Sequence, residues 1–190
     1  MVTANNMLVL MLVGASGFFD AKERKIPNKI TFTGIIVGVI INLVTGGRTG
    51  LLLSIGGMLA GLAIFFIPFV MGGMGAGDVK LMGAIGALMG WQFSLLTALY
   101  SALVGGTMVI VYLLYTGKLR DYFKKIILSF IQLLFHFLNQ LGNSEKIEHL
   151  PKRFVKNGQE YKKIYIPYGV AIAGGTILVL IASNQGFHIF

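Results

Sequence analysis

The sequence predicts an all-α membrane protein, a polytopic bundle of six transmembrane helices that forms one integral-membrane domain over residues 1–190. Two features predict this class. Of the 190 residues, 55% are apolar and only 12% are charged, about half the charged fraction of an ordinary soluble domain. From Ile30 to Tyr115 the only charged residues are Arg48, Asp78 and Lys80. An apolar stretch of that length indicates a lipid environment rather than a soluble core.

Apolar segments that suit a membrane helix occur six times, since one crossing needs roughly 20 apolar residues. The predicted spans are about 5–19, 30–45, 51–71, 79–91, 93–116 and 165–184. The first span is short, but no Lys or Arg precedes it, so it lacks the basic start of a signal peptide and we expect it to be retained. The fourth is the least distinct, because only Gln92 and its neighbours separate it from the fifth.

Positive charge orients the predicted bundle. All Lys and Arg residues except Arg48 fall in three loops, at about 20–29, 72–80 and 117–163, and all seven acidic residues lie on the same side. Basic loops remain in the cytoplasm, so we predict a multi-pass protein of the cell membrane with both termini outside. The net charge of +9 then reports topology, and we expect lipids rather than nucleic acid as surroundings.

The long basic loop at 117–163 contains helical spacing of apolar residues from 119 to 141. We predict a cytoplasmic amphipathic helix on the inner leaflet, between the fifth and sixth spans. A seventh buried span and a substrate-docking element are the alternatives.

Composition also excludes several kinds of site. The chain has no Cys, which excludes disulfides, thiolate metal sites and cysteine nucleophiles. Its His residues, at 136, 149 and 188, lack metal-ligand spacing, so we expect no metal. Two glycine pairs, Gly34–Gly38 and Gly57–Gly61, have the spacing that lets membrane helices approach closely.

Two acidic residues directly adjoin apolar spans at the predicted cytoplasmic boundary. Asp20 ends the first span, and Asp78 begins the fourth. Ionisable groups there are costly and therefore indicate function, although either could be structural, with Asp78 as a helix N-cap. Two carboxyl groups that share a proton can hydrolyse a peptide bond, because one deprotonates water while the other polarises the carbonyl. Such chemistry needs neither a metal nor a cofactor.

The residues around these acids resemble a known family. Gly75-Ala76-Gly77-Asp78-Val79-Lys80-Leu81 is similar to the G-x-G-D-x-K-L signature of type IV prepilin peptidases and archaeal preflagellin peptidases. Asp20 followed by Arg24-Lys25-Ile26-Pro27-Asn28 resembles their first motif, and Ile166-Pro167-Tyr168-Gly169 resembles the I/V-P-[FY]-G element that opens their last helix. The resemblance covers nearly the whole chain and is loosest in the long loop.

The resemblance implies a membrane-embedded aspartic endopeptidase that removes the short basic leader of prepilin-like or preflagellin proteins at the cytoplasmic membrane face. Asp20 and Asp78 would be its catalytic pair. Substrate-binding or site-shaping roles would fall to the other motif residues, Gly75, Gly77, Lys80, Pro27, Asn28 and Pro167. Lys80 could pair with Asp78, contact the substrate or anchor a lipid headgroup. The substrates would carry an N-terminal hydrophobic helix.

Bifunctional members of the family also methylate the new N-terminus and carry an insertion with paired C-x-x-C elements between the first two spans. Here only residues 21–29 join those spans, and Cys is absent. We therefore expect the short, peptidase-only type, without methyltransferase activity or S-adenosylmethionine.

Two other readings remain open. A small proton-coupled or ion-coupled transporter, or a non-enzymatic assembly scaffold, could also use acidic residues in a membrane, although transporter sites usually lie near the midplane. A presenilin-like protease shares G-x-G-D, but such proteins have more spans and a Pro-Ala-Leu motif that this chain lacks.

Helix ends predict which acid is ionised. Asp78 begins its helix and Asp20 ends its own, and a helix favours an anion at its N-terminus only. We therefore predict that Asp78 activates water and that Asp20 is the protonated member.

Overall fold

The computed structural model describes residues 4–117, 119, 120, 124, 127, 128, 131, 134 and 167–184. Among these residues there is no strand, and the all-α class is confirmed. Five helices are defined in this part of the chain: α1 (Ala4–Glu23), α2 (Asn28–Val70), α3 (Ala76–Met89), α4 (Trp91–Tyr115) and α5 (Tyr168–Asn184).

The prediction of six separate transmembrane helices is not confirmed. Among the helices of the described residues, only α1, α2 and α4 are long and apolar enough to cross a membrane, and α5 is a shorter apolar helix. The predicted second and third spans are joined in α2, and the predicted fourth span, α3, has only 14 residues. The break between α3 and α4 lies at Gly90, whose φ of 87° favours glycine, rather than at Gln92.

The 43 residues of α2 do not form one straight rod. Such a rod would be about 65 Å long, twice the thickness of the hydrocarbon core of a bilayer. Gly47 interrupts the helical backbone with φ 55° and ψ −139°, a conformation that L side chains rarely adopt. Beyond this break the chain turns back, since Gly50 contacts the carbonyl of Asn42.

Glycines on the two arms of α2 pack against α3. On the first arm, Gly34 and then Gly38 meet Ala84 and the Ala87–Leu88 backbone in turn, so that this arm runs parallel to α3. On the second arm the order is reversed, since Gly57 contacts Gly86 and Gly90 whereas Gly61 contacts Met82. Gly38, Gly57 and Gly61 thus bring backbone against backbone, whereas Gly34 packs against side chains. The two arms run in opposite directions along α3.

The short helix α3 is the centre of the packing. Every residue from 81 to 88 is buried, as expected for a helix that is apolar on all sides. Its last carbonyls accept hydrogen bonds from side chains of other helices. Asn42 Nδ2 donates to the Ala87 and Leu88 carbonyls (2.9 and 3.2 Å), Asn5 Nδ2 to Leu88 (3.1 Å) and Ser54 Oγ to Ala87 (2.7 Å). These bonds satisfy carbonyls that a helix end leaves without partners.

The chain divides into two compact units, Met1–Met108 with Ile166–Phe190, and Val109–Tyr165. The first unit contains α1, α2, α3, α5 and most of α4. The second contains the last turns of α4 and the described residues of the predicted amphipathic helix, which are helical at 119, 120, 124, 127, 128, 131 and 134. Ile127, Leu128, Ile131 and Leu134 are about half exposed, at 49–53%. Its position on the inner leaflet stays a prediction, and residues 135–163 lie outside the described residues.

Candidate active site

Asp20 and Asp78 are both withdrawn from solvent, with exposed fractions of 6% and 8%. Within the described ranges they are the only buried residues with a formally charged side chain. A carboxylate in such surroundings is costly unless hydrogen bonds compensate for the lost water. The partners of each carboxylate therefore decide how the site is built.

Asp78 is held by its own helix. It is the third residue of α3, after the N-cap Gly75. Its Oδ2 accepts the Gly75 N–H at 3.1 Å, and its N–H donates to the Gly75 carbonyl at 3.2 Å. Gly75 leaves room for this arrangement, because a Cβ there would lie 3.3 Å from Oδ2. Asp78 is thus a capping residue whose remaining oxygen is available for other chemistry.

Asp20 is held by a helix from the other end of the sequence. Its Oδ2 accepts the N–H of Gly169, in the first turn of α5, at 2.6 Å. The Val170 N–H also faces this carboxylate. Helix α1 packs antiparallel to α5, with Gly17 against Ala173. The C-terminal end of α1 therefore meets the N-terminal end of α5, where free N–H groups favour an anion.

The structure brings the two anchored carboxyls into one neighbourhood. Helix α3 contacts both α1 and α5, and the Asp20 charge acts electrostatically on the Asp78 carboxyl. The Asp78 charge likewise acts electrostatically on the phenol of Tyr168. An arrangement of this kind, with two carboxyls and a neighbouring phenol at the ends of three helices, can activate water and polarise a carbonyl.

Tyr168 forms one wall of this neighbourhood. Its ring meets the Phe65 ring edge to face, with centroids 6.0 Å apart. It also packs so closely on Gly105 of α4 that a Cβ there would lie 2.9 Å from the ring. The ring is therefore fixed by α2 and α4, while its backbone belongs to the turn that holds Asp20.

The loop before α2 covers the Gly75–Asp78 turn. Ile26 is buried and lies against Gly77, where a Cβ would be 3.1 Å from the Ile26 Cβ. Pro27 is the N-cap residue of α2 in extended conformation. Asn28 Oδ1 accepts a hydrogen bond from Lys80 Nζ at 2.9 Å.

Lys80 is directed away from Asp78. Its ammonium lies 5.2 Å from the centroid of the Phe32 ring, beside its bond to Asn28. Residues two apart on a helix do not face each other, so the pairing of Lys80 with Asp78 considered above is not seen. Lys80, which belongs to the motif around Asp78, instead bonds to Asn28 of the motif that follows Asp20.

Pro167 directly precedes α5, and its carbonyl accepts the Val170 N–H at 3.2 Å. It thus opens the turn that carries Tyr168 and Gly169. Neither Tyr168 nor Gly169 was among the predicted site residues, although the Pro-Tyr-Gly element that contains them pointed to this turn. The contact between Gly169 and Asp20 spans 149 residues of sequence, too many for a local pattern to reveal it.

Comparison with known proteins bears on the same residues. The sequence profile described as "Type IV leader peptidase family" matches residues 7–110, a range that includes both acids. Two similar curated proteins are named prepilin leader peptidase/N-methyltransferase. The one from Aeromonas hydrophila is 32% identical over 109 residues (54% of this chain, 37% of its own), and the one from Legionella pneumophila is 29% identical over 121 residues (60% and 42%).

The chain thus spans about two fifths of the length of these curated relatives. No solved structure is significantly similar to it. The family profile covers more than half of the chain and includes both buried carboxylates, Asp20 and Asp78. On this evidence the protein belongs to the type IV leader peptidase family.

Proposed function

We propose that the protein is an aspartic endopeptidase that removes the short basic leader of type IV prepilin-like or preflagellin proteins at the cytoplasmic membrane face. The observation that carries this proposal is the pair of buried carboxylates, Asp20 and Asp78, each anchored by a glycine N–H at the start of a helix. Family membership supports the peptidase activity.

The anchoring leaves one oxygen of each acid for chemistry. The glycine N–H groups bond Oδ2 in both residues. In the proposed reaction one carboxylate takes a proton from water while the other carboxyl donates its proton to the scissile carbonyl oxygen. The water oxygen bonds to the carbonyl carbon. When this intermediate collapses, the C–N bond breaks and the amine nitrogen takes the proton that the first carboxylate had removed from water. A hydroxyl group of the intermediate returns its proton to the second carboxylate, so that the pair again holds one proton.

The same proposal includes a membrane topology. The two arms of α2 run in opposite directions, which supports two crossings. Together with α1 and α4, the helices that are long enough to span a bilayer make four crossings, and the proposed six require the shorter helices α3 and α5 to cross as well. Helices α1 and α5 both lead away from the contact between Asp20 and Gly169. This supports both termini on the outer side, with the carboxylates on the basic, cytoplasmic side.

The proposal includes the peptidase step alone. The curated relatives are named for N-methyltransferase activity as well. This chain has no Cys, whereas the cysteine-containing insertion accompanies that activity in the bifunctional members. We therefore propose that the protein acts without S-adenosylmethionine and without a metal.

The test is direct cleavage. The purified full chain, in detergent micelles, is incubated with a synthetic polypeptide that carries a basic leader, a Gly at the junction and an apolar helix. Mass spectrometry identifies the products. We expect one cut at the junction in the wild-type protein and none with Asp20→Asn or Asp78→Asn.

The matched control is Glu23→Gln, which removes an exposed carboxylate one turn from Asp20 and is expected to leave cleavage unchanged. Cleavage by either Asp variant at the wild-type rate would remove that residue from the mechanism. A wild-type protein that fails to cut the polypeptide would contradict the proposed activity.

A further inference from the structure

We infer that Gly169 is a positioning residue that sets the orientation of the Asp20 carboxylate, so that the first turn of α5 is the third component of the active site. The inference rests on the proposed peptidase function. It assigns a role to a residue outside the range that the family profile matches, which ends at 110.

The contact depends on glycine at this position. A Cβ on Gly169 would lie 2.8 Å from Asp20 Oδ2, 2.9 Å from Asp20 Cβ and 3.0 Å from Asp20 Cγ. Distances below 3 Å between such atoms are sterically excluded, so any side chain here displaces Asp20. Glycine is needed for close approach rather than for a special backbone angle.

The N–H of Gly169 is also the donor that compensates the burial of Asp20. The hydrogen bond is 2.6 Å long, shorter than the usual N–H···O separation. A buried carboxylate that loses such a donor suffers the full cost of its desolvation, and its side chain turns to find another partner. The orientation of the Asp20 carboxylate therefore depends on Gly169.

A purely structural role for Gly169 would have other consequences. If the glycine only let α1 and α5 pack, a methyl group there would lower stability and leave the chemistry of the folded fraction intact. A positioning role lowers kcat in folded protein, because the substrate still binds while the acid is misplaced. A displacement of about 1 Å can cost about 100-fold in rate.

The experiment compares Gly169→Ala with two controls in the same helix pair. Gly174→Ala adds a methyl group 3.3 Å from the Val104 side chain, and Gly17→Ala adds one 3.4 Å from Ala173. For each protein we would measure kcat and KM with the synthetic polypeptide, the unfolding temperature, and the rate at which dicyclohexylcarbodiimide labels Asp20 and Asp78. This reagent attacks carboxyl groups in apolar surroundings, and labelling in native membranes before purification keeps this readout for a variant that is unstable in detergent.

We expect Gly169→Ala to lower kcat by about 100-fold, to leave KM unchanged and to speed the labelling of Asp20 but not of Asp78. Both controls should behave like wild type. Unchanged Asp20 labelling, or a kcat that falls only in proportion to lost folded protein, would overturn the inference. Because labelling needs no substrate, a wild-type protein without cleavage would refute the proposed function while the labelling still decides whether Gly169 holds Asp20.

Discussion

Asp20 and Asp78 have the same side chain, nearly the same burial and the same kind of hydrogen-bond partner, but they obtain that partner in different ways. Asp78 accepts the N–H of Gly75, three residues away, whereas Asp20 accepts that of Gly169, 149 residues away. The anchor of Asp78 forms as soon as the first turn of α3 forms. The anchor of Asp20 forms only when α5 packs against α1.

The difference predicts how each site tolerates change. The local anchor adjusts by small movements of one loop, because Gly75 and Asp78 move together. The distant anchor joins two packed helices, and a misfit there is not relieved without shifting a whole helix. We therefore expect the Asp20 site to be the less tolerant one.

We expect the largest effect from substitutions that remove the ionisable group itself. Asp20→Asn and Asp78→Asn should each lower kcat by at least about 10²-fold. Loss of general acid–base catalysis typically costs about 10²-fold to 10⁴-fold. An amide oxygen can still accept the glycine N–H, so we expect both variants to fold. Single-turnover cleavage of the synthetic polypeptide measures the loss, and unequal losses would mark the acid that matters more.

A second change disturbs the packing of α3, the helix that carries Asp78, against the second arm of α2. In Gly57→Ala the new methyl group would clash with the Gly86 carbonyl and with Gly90, whereas in Gly56→Ala it meets nothing within 4 Å. Both replacements gain the same helix propensity, so their difference isolates the packing. We expect Gly57→Ala to be less stable than Gly56→Ala by about 1–3 kcal/mol, which thermal unfolding would measure. Equal stability would mean that α3 is not held by the second arm of α2.

A third change tests the local anchor. Gly75→Ala is conformationally allowed, since Gly75 has φ −83° and ψ 152°, and its methyl group would lie 3.3 Å from Asp78 Oδ2. A shift of a few tenths of an ångström is enough to accommodate it. We expect kcat to fall by about tenfold or less, compared with about 100-fold for Gly169→Ala. A larger loss of kcat in Gly75→Ala than in Gly169→Ala would contradict the expectation that the Asp20 site is the less tolerant one.

The smallest effect concerns the bond between Lys80 and Asn28. Lys80→Met keeps the aliphatic chain over Phe32 and removes an exposed hydrogen bond. We expect a loss of stability below about 1 kcal/mol, measured by thermal unfolding, with the exposed Lys29→Met in the first turn of α2 as a control. A loss of kcat as large as that of an Asp variant would instead place Lys80 in the chemistry.

The structure also changes the argument about protonation. From the sequence, Asp20 ends a helix and Asp78 begins one, which predicted that Asp78 is the ionised member. In the fold Asp20 lies at the start of α5 as well as at the end of α1, so both acids face a helix N-terminus. Helix ends therefore no longer distinguish them, and the order of ionisation stays a prediction that carbon-13 NMR of labelled Asp would test.

Sequence reasoning was most successful where a residue type is energetically unfavourable in its local surroundings. Charged side chains are rare beside apolar spans, which made Asp20 and Asp78 stand out, and both are indeed buried. The spacing of Gly34–Gly38 and Gly57–Gly61 allowed close packing but did not by itself predict it, because glycine is common in membrane helices, and the structure places these glycines at helix contacts. The partner helix, α3, was not identified by that spacing.

By itself, the sequence determined the all-α class, the apolar segments and the two acids, because each depends on residues within one or two helical turns, whereas the N-cap of α3 is Gly75 and not Asp78 as considered from the sequence. Only the tertiary structure decided that α2 reverses at Gly47, that α3 is enclosed by both arms of α2, and that Gly169 holds Asp20. These features depend on contacts between segments up to 149 residues apart. Such contacts form when helices pack to remove voids and to satisfy buried polar groups, and neither requirement is expressed in the local pattern of the chain.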